Sequence, residues 1–536
     1  MWQQNYIPIA DSLTVSALIA ALPIFTLLFL LGVLRKPAWV AALSGLAAAT
    51  GVALFAYGMP VGMALSSIAY GAAFGLWPIG WIVFSAILLY RLTVDTGKFE
   101  IVKDSIGSLT PDRRLQALLI AFAFGAFIEG AAGFGSPVAV AAAMLTGLGF
   151  SPFYAAGICL LANTAPVAFG SIGIPVTTLA GITGLSANAL SARVGQICAP
   201  LSICVPSYLI LVMGGVRAWR GVAPAAILCG VAFGGVQFLV SNYHGPLLVD
   251  ILSSLSAIGS LVVLMKLWKP KDNFVLEGDH KAQVPKHHPA NEVFMAWMPY
   301  FLLVIFVLLW GQEGIKAELN KFTINVAWPG LHNLVQRMPP VAPKPSGYAA
   351  MYAFNWLSAA GTSCLFASIV AALILKVSPG KFAGIFGDTC KQLAFPMLTI
   401  ASVLGLAFLM NYSGATATLG LAFSATGPLF PFFSALLGWL GVFLTGSDTS
   451  ANALFGNLQV VTATRLGLDP VLMAAANSSG GVMGKMISLQ SIAVAAAATG
   501  MATTDQAKLF RFTLRHSIFL ATLIGLITAL YAYMGK

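Results

Sequence analysis

The chain has 536 residues, of which 58% are hydrophobic and only 8% are charged. Soluble domains carry about 25% charged residues, so this composition excludes a soluble protein and predicts one that crosses a membrane several times. The net charge of +11 does not indicate a nucleic-acid partner, because the Lys and Arg residues lie mostly in short loops between apolar segments, where the positive-inside rule explains them.

The loops between the apolar segments alternate in charge along the chain. The basic loops are predicted to be cytoplasmic, and they are residues 35–36, 91–114, 214–221, 266–292, 376–391 and 508–515. The segments predicted to be external are poor in Lys and Arg or are placed outside by alternation, and they are residues 1–12, 58–60, 241–246, 312–348 and 411–427. We therefore expect about 12 transmembrane helices, with both chain ends outside.

Two parts of the sequence resemble each other but differ in the charge of their loops. Residues 59–97 align with residues 378–414, and Pro60 matches Pro379. The loop after the first copy is basic, whereas the loop after the second copy contains no Lys or Arg. The two copies are therefore predicted to cross the membrane in opposite directions. Such inverted repeats are typical of secondary transporters, which bind their substrate where broken helices meet.

In each copy, a later apolar segment is interrupted by small residues: 114–149 in the first and 428–464 in the second. Non-helical backbone at membrane depth requires protein or a water-filled cavity beside it. The predicted fold class is therefore an all-α polytopic membrane protein with about 12 transmembrane helices, two broken or re-entrant hairpins and inverted-topology repeats. Four divisions of the chain are expected: N-terminal transmembrane helices (1–57), a first transport repeat (58–215), connecting helices (216–348) and a second transport repeat (349–536). The connecting division contains the cytoplasmic loop 266–292 and the external loop 312–348.

Four motifs lie at these interruptions: "FIEGAAGFGSPVA" (127–139), "NTAPVAFGSIGIP" (163–175), "LTGSDTSANALFGNLQ" (444–459) and "ANSSGGVMGKMIS" (476–488). They resemble the bacterial L-lactate permease family, and the resemblance covers nearly the whole chain. It implies a multi-pass protein of the bacterial inner membrane that takes up L-lactate with protons, and also glycolate and related short 2-hydroxy monocarboxylates. It also implies membership of the broader ion-transporter superfamily, and it leaves the oligomeric state open.

Three charged residues lie within the broken segments: Glu129, Asp448 and Lys485. A charge at bilayer depth costs about 2.5–3.5 kcal/mol even on the lenient insertion scale, so it persists where something requires it. They are therefore predicted to be functional, and the alternative is a structural ion pair that joins the two halves.

Each charged residue has a proposed role in transport and a competing one. Lys485 could bind the substrate carboxylate as a point charge, or it could neutralise Asp448. Glu129 or Asp448 could carry the coupled proton, because burial favours the protonated carboxyl, and Glu129 follows the more apolar stretch. The polar residues beside Asp448 could instead make an oxygen-lined Na⁺ site.

Small polar residues occupy matching places in the two repeats: Asn163, Thr164, Asn477, Ser478 and Ser479. They could hydrogen-bond the hydroxyl and carboxylate of the substrate, or they could bond across helices. Two glycines of the first break are further candidates for close backbone approach to the ligand: Gly133 and Gly135. As small residues they could equally serve helix contacts.

Other functions are weighed against proton-coupled symport. A cation/proton antiporter would use Glu129 and Asp448 without needing Lys485, and a Na⁺-coupled carboxylate transporter would use the polar cluster around Asp448. A membrane enzyme would need a nucleophile–base pair or a metal cluster, and no His lies near the motifs to supply one. The sequence has no G-x-x-x-x-G-K-[ST] motif and no C-x-x-C pair, so we expect no ATP, cofactor or bound metal ion.

Overall fold

The computed structural model describes residues 1–133, 136–272, 274, 286–502 and 505–534, without the side chains of Ser136 and Glu313. Eleven helical segments of this described chain are long and apolar enough to cross a membrane, or twelve if the bent pair Pro152–Ala162 and Val167–Thr183 counts as one span. The expectation of a helical, multi-pass membrane protein is therefore confirmed.

The first two helices form an antiparallel pair at one edge. Helix α1 (Leu13–Gly32) begins where the Ser12 hydroxyl accepts a hydrogen bond from the Val15 amide, which satisfies one free N–H of the first turn. Helix α2 (Ala38–Gly51) follows the predicted basic turn and continues as a π-helical stretch to Ala56. The pair packs against the rest of the chain mainly through the long helix Pro379–Ser413.

The first repeat begins with a kinked 35-residue span, Val61–Asp95. It consists of α3 (Val61–Phe74) and α4 (Trp81–Asp95), and Pro78 lies in the irregular stretch between them, where Trp77 has extended backbone angles. The remaining helices of this repeat are α5 (Lys98–Gly107), α6 (Arg113–Gln116), α7 (Gly125–Ala131), α8 (Ser136–Gly147), α9 (Pro152–Ala162) and α10 (Gly170–Thr183). A π-helical stretch, Ala117–Phe124, joins α6 to α7.

Within the segment Arg113–Ala131, residues 114–131 are all buried inside the protein. Its start is held by Arg114, whose guanidinium contacts the carboxylates of Asp112 at 2.8 Å and Asp272 at 3.0 Å. The same guanidinium lies over the Phe274 ring, with its carbon atom 5.2 Å from the ring centroid. These contacts fix the predicted cytoplasmic end of the helix that carries Glu129 into the membrane.

The middle of the chain connects the repeats through α11 (Ala187–Tyr243), α12 (Val249–Leu267), α13 (Ala290–Gly311) and α14 (Glu313–Asn320). Gly214 and Gly215 have non-helical angles and divide α11 at the basic loop that the sequence predicted. The helix therefore accounts for two crossings of the membrane.

The loop 312–348, which alternation places outside, contains regular secondary structure. Besides α14, this region forms short strands that pair in two small sheets: β1 (Trp2–Gln3), β2 (Ile324–Ala327), β3 (Val335–Arg337), β4 (Ser346–Gly347) and β5 (Met351–Phe354). β3 pairs in parallel with β1 and antiparallel with β4, whereas β2 and β5 pair antiparallel, with Ile324 opposite Phe354. The sequence did not predict these pairings, because they join residues that are far apart along the chain.

The second repeat contains α15 (Ala360–Ile374), α16 (Pro379–Ser413), α17 (Ala415–Phe423), α18 (Phe430–Thr445), α19 (Asp448–Leu466), α20 (Pro470–Lys485), α21 (Leu489–Thr499) and α22 (Gln506–Met534). A 3₁₀ stretch, Ser424–Leu429, joins α17 to α18. Both predicted hairpins are broken helices: α7 and α8 flank one break, and α18 and α19 flank the other.

The matched segments of the two repeats pack against each other in opposite directions. Each has 35 residues, Val61–Asp95 and Pro379–Ser413. Gly71 of α3 lies against the Leu404 backbone, and Gly75, four residues later, lies against the Ile400 backbone. The contacts therefore advance along one helix as they recede along the other, which is the antiparallel relation that inverted repeats require.

Candidate functional site

A central cavity of about 330 Å³ lies where the broken helices of the two repeats meet. Its polar wall combines Glu129 of α7, Asp448 of α19 and Lys485 at the end of α20. Its apolar wall includes Trp39, which lies close to the basic turn at residues 35–36, so the cavity lies toward the predicted cytoplasmic face. The structure thus brings together the three charged residues that the sequence singled out.

Lys485 occupies the cavity wall without a direct anionic partner. Its Nζ atom donates a hydrogen bond to the Gly446 carbonyl oxygen at 2.6 Å, across the break between α18 and α19. It forms no ion pair with a carboxylate in the described part of the chain, although it lines the same cavity as Glu129 and Asp448. An ammonium has three donors, so donors remain for a ligand.

Asp448 is buried at the first turn of α19, where the positive end of the helix dipole favours an acid. Its Oδ2 atom accepts hydrogen bonds from the Ser478 hydroxyl at 2.6 Å and from Asn452 Nδ2 at 3.3 Å. Its Oδ1 atom has no hydrogen-bond partner. Gly481 lies against Oδ1, and a side chain there would collide with it. One face of this carboxyl is therefore fixed by the protein and the other is unoccupied by protein donors.

Glu129 is buried near the end of α7, and its Oε2 atom has no hydrogen-bond partner among the described residues. Its Oε1 atom lies against Gly170, where an added Cβ would be only 2.6 Å from it. A buried carboxyl oxygen that lacks a donor disfavours the ionised form. Glu129 is therefore placed to hold a proton beside Lys485 in the same cavity.

The backbone next to Glu129 is strained. Ser171, Ile172 and Gly173 have φ angles of 47°, 58° and 70° at the start of α10. A positive φ is unusual for a non-glycine residue and most of all for a β-branched one such as Ile172. The Ser171 hydroxyl donates to the Ala132 carbonyl at 3.1 Å and so joins this strained turn to the break after α7. These residues belong to the motif at 163–175, whose sequence alone does not predict a left-handed turn.

Asp250 is a buried acid that the sequence analysis missed. It lies in the first turn of α12, and neither of its carboxylate oxygens has a hydrogen-bond partner. It packs behind Glu129, because a Cβ added at Gly130 would be 2.8 Å from the Asp250 Cβ. Its position at the start of the apolar run 251–264 was the available signal, but only Glu129, Asp448 and Lys485 were identified as charges within the membrane segments.

The second-repeat polar residues are buried behind the cavity wall and bond across helices. Ser478 donates to Asp448, as described above. Asn477 donates to Asn452 Oδ1 at 2.9 Å and accepts from Gln459 Nε2 at 3.0 Å. The Ser479 hydroxyl is buried without a partner. None of the three lines the central cavity, and the observed contacts of Asn477 and Ser478 position α19 and Asp448.

The first-repeat candidates lie at the end of α9 and in the break after α7. The Thr164 hydroxyl donates to the Leu161 carbonyl at 2.8 Å, whereas the side-chain N and O atoms of Asn163 are buried and unpartnered. Neither residue lines the cavity. Gly133 has a φ of +58° and lies against the Ser171 hydroxyl, so a side chain there would collide. Gly135 lies outside the described residues.

Comparisons with known proteins give a consistent result. The model of the family described as L-lactate permease matches residues 16–535. The L-lactate permease of Bacillus subtilis (strain 168) is 46% identical, over 99% of this chain and 98% of that protein. The L-lactate permease of Escherichia coli (strain K12) is also 46% identical, over 100% of this chain and 98% of that protein. The glycolate permease GlcA of the same organism is 44% identical, over 99% of this chain and 98% of that protein.

Among solved structures, the chain is similar to the YdaH transporter of Alcanivorax borkumensis. The TM-score is 0.47 and the sequence identity is 13%, over 87% of each chain.

Proposed function

Since the chain belongs to the L-lactate permease family, we propose that it takes up L-lactate across the bacterial inner membrane by proton symport. Glycolate and related short 2-hydroxy monocarboxylates are the further substrates, in line with the similarity to a glycolate permease. The observation that carries the proposal is the central cavity, in which one free ammonium and two buried carboxyls meet at the breaks of both repeats.

Lys485 supports an anionic substrate. A 2-hydroxy carboxylate is ionised at neutral pH, since carboxyls of this kind titrate near pH 4, and it needs a positive partner inside the membrane. Lys485 is the only Lys or Arg among the described residues that line the cavity, and its sole hydrogen bond is to a backbone carbonyl. The ammonium therefore binds the substrate carboxylate, and the positive end of α19 adds to the same potential.

The balance of charges supports coupling to protons. Glu129 and Asp448 line the cavity and Asp250 packs behind it, whereas Lys485 is the only cation in the described wall. If all three acids were ionised, a bound carboxylate would add a fourth negative charge against one positive charge. Each unneutralised buried ion costs several kcal/mol, so the substrate anion enters together with a proton.

Glu129 is the proposed site of the coupled proton. It has an unpartnered oxygen, whereas Asp448 keeps two side-chain donors on one oxygen, and such donors stabilise the ionised form. Substrate and proton then favour each other's binding, because each reduces the unfavourable charge that the other meets.

Transport into proteoliposomes tests this proposal. Radiolabelled L-lactate is expected to accumulate when the interior is alkaline, and a protonophore is expected to abolish that accumulation. Accumulation driven by a Na⁺ gradient at equal pH would instead support a Na⁺-coupled carboxylate transporter. Cation/proton exchange without movement of lactate would support an antiporter and overturn the proposal.

A further inference from the structure

A second, outer cavity of about 770 Å³ lies on the face opposite the central cavity. Its wall includes Arg337 of β3 and Tyr348 after β4, in the region that alternation places outside, and Arg465 near the end of α19. Helix α19 therefore contributes Asp448 to the central cavity at one end and Arg465 to the outer cavity at the other.

The outer cavity has an excess of positive charge. Two arginines line it, and its described wall contains no Asp or Glu. Arg465 forms no ion pair in the described chain, and Asp469, the nearest acid along the sequence, is paired with Arg193 at 3.4 Å instead. These two guanidinium groups therefore give the outer cavity a positive potential, which attracts anions.

Arg337 is fixed in position, and no ion pair neutralises it within the described residues. Its guanidinium carbon lies 5.0 Å from the centroid of the Tyr348 ring, a cation–π contact that restrains the side chain. Its Nε atom is buried and has no hydrogen-bond partner, which is unusual for a guanidinium donor. An arginine that lines the cavity and is held by an aromatic ring is suited to binding a carboxylate.

Only a thin partition separates the two cavities. On α16, Val403 lines the central cavity and Phe408 lines the outer one, and five residues of helix span about 7.5 Å. On α10, Pro175 lines the central cavity and Gly181 the outer one. The partition is apolar and buried at Leu404 and Leu406 of α16, so it closes the path for an anion in this conformation.

We propose that the outer cavity is a capture vestibule, in which Arg337 and Arg465 collect small carboxylate anions before they pass to the central cavity. The inference rests on the proposed function and deepens it by assigning a second anion site on the uptake path. The outer cavity is more than twice as large as the central one, so it accepts hydrated anions. It therefore raises their local concentration and leaves selection to the central cavity.

Uptake from the outside and from the inside distinguishes capture from a general effect. Arg465→Gln and Arg337→Gln are compared with wild type in right-side-out and inside-out membrane vesicles, with radiolabelled L-lactate as the probe. Each variant is expected to raise the KM for lactate on the outer side by about five-fold, which corresponds to about 1 kcal/mol of charge attraction in water. The KM on the inner side and the maximal rate are expected to remain unchanged, and the outer KM of the variants is expected to depend less on salt.

A matched control and a rescue complete the test. Lys344 is exposed on the same external segment and does not line the cavity, so Lys344→Gln removes the same charge and is expected to leave the outer KM unchanged. Arg465→Lys retains the charge and is expected to restore most of the affinity. An unchanged outer KM in Arg465→Gln, an equal change on both sides, or an equal effect of Lys344→Gln would overturn the vestibule. If wild-type vesicles do not transport lactate, the proposed function itself fails.

Discussion

Replacement of Lys485 by Ala removes the only cation in the described wall of the central cavity. One of its three donors is used by the Gly446 carbonyl at 2.6 Å, which leaves two for a substrate carboxylate. A hydrogen bond to a charged group contributes about 1.5–3 kcal/mol. We therefore expect Lys485→Ala to weaken L-lactate binding by about 10-fold to 150-fold, at 1.4 kcal/mol for each tenfold change.

Equilibrium binding to the purified protein measures this effect, either by calorimetry or by the fluorescence of Trp39, which lines the same cavity. Lys485→Arg is expected to restore affinity poorly, because a planar guanidinium does not fit a site formed around a compact ammonium. Lys391→Ala is the matched control, since the Lys391 side chain is 85% exposed on the predicted cytoplasmic side. An unchanged lactate affinity in folded Lys485→Ala would remove Lys485 from the substrate site and refute this reasoning.

The remaining predictions concern the acids and the glycine that contacts one of them. Glu129→Gln mimics the protonated acid, so the variant should exchange lactate for lactate but should not accumulate lactate under a pH gradient. Counterflow measures the exchange, and uptake driven by a pH gradient measures the accumulation. Asp448→Asn removes the ionic acceptor of Ser478 and should lower lactate affinity or thermal stability more than coupling; loss of accumulation with intact exchange would instead move the proton site to Asp448. Gly170→Ala places a methyl group 2.6 Å from Glu129 Oε1 and should slow transport by about tenfold or more, whereas Gly62→Ala, with nothing within 4 Å, should not. The hydrogen bond from Arg114 lowers the pKa of Asp272. The pair should therefore stabilise the folded protein at neutral pH, and this stabilisation should be lost as the pH falls below about 4 and through the lowered pKa. The thermal unfolding temperatures of wild type and Asp272→Asn should differ at pH 7 and converge in acid.

Properties that depend on short stretches of sequence could be predicted well. The apolar segments gave the spans, and the breaks beside Glu129 and Asp448 lie where the small residues interrupt those segments. The three charged residues stood out because ionised groups are costly at membrane depth. The inverted relation of the repeats could be inferred because loop charge reports orientation without any knowledge of packing.

Properties that depend on tertiary packing could not be predicted from the sequence. Asp250 is notable only because it packs against Gly130 on a distant helix, so its place near the start of a span resembled an ordinary helix terminus. The left-handed turn at Ser171 and Ile172 is held by its contact with Ala132. The hydrogen bonds that engage Asn477 and Ser478 join separate helices, so sequence could not separate substrate contacts from structural ones.

The central claim is that lactate and a proton enter the same cavity and favour each other's binding. Proton uptake on binding tests it most directly, through calorimetric titration of L-lactate in buffers of different ionisation enthalpy. Wild-type protein is expected to take up roughly one proton for each lactate bound near neutral pH, and Glu129→Gln is expected to take up none while still binding lactate. Binding of lactate to the wild type without proton uptake, or the same uptake in Glu129→Gln, would contradict the account.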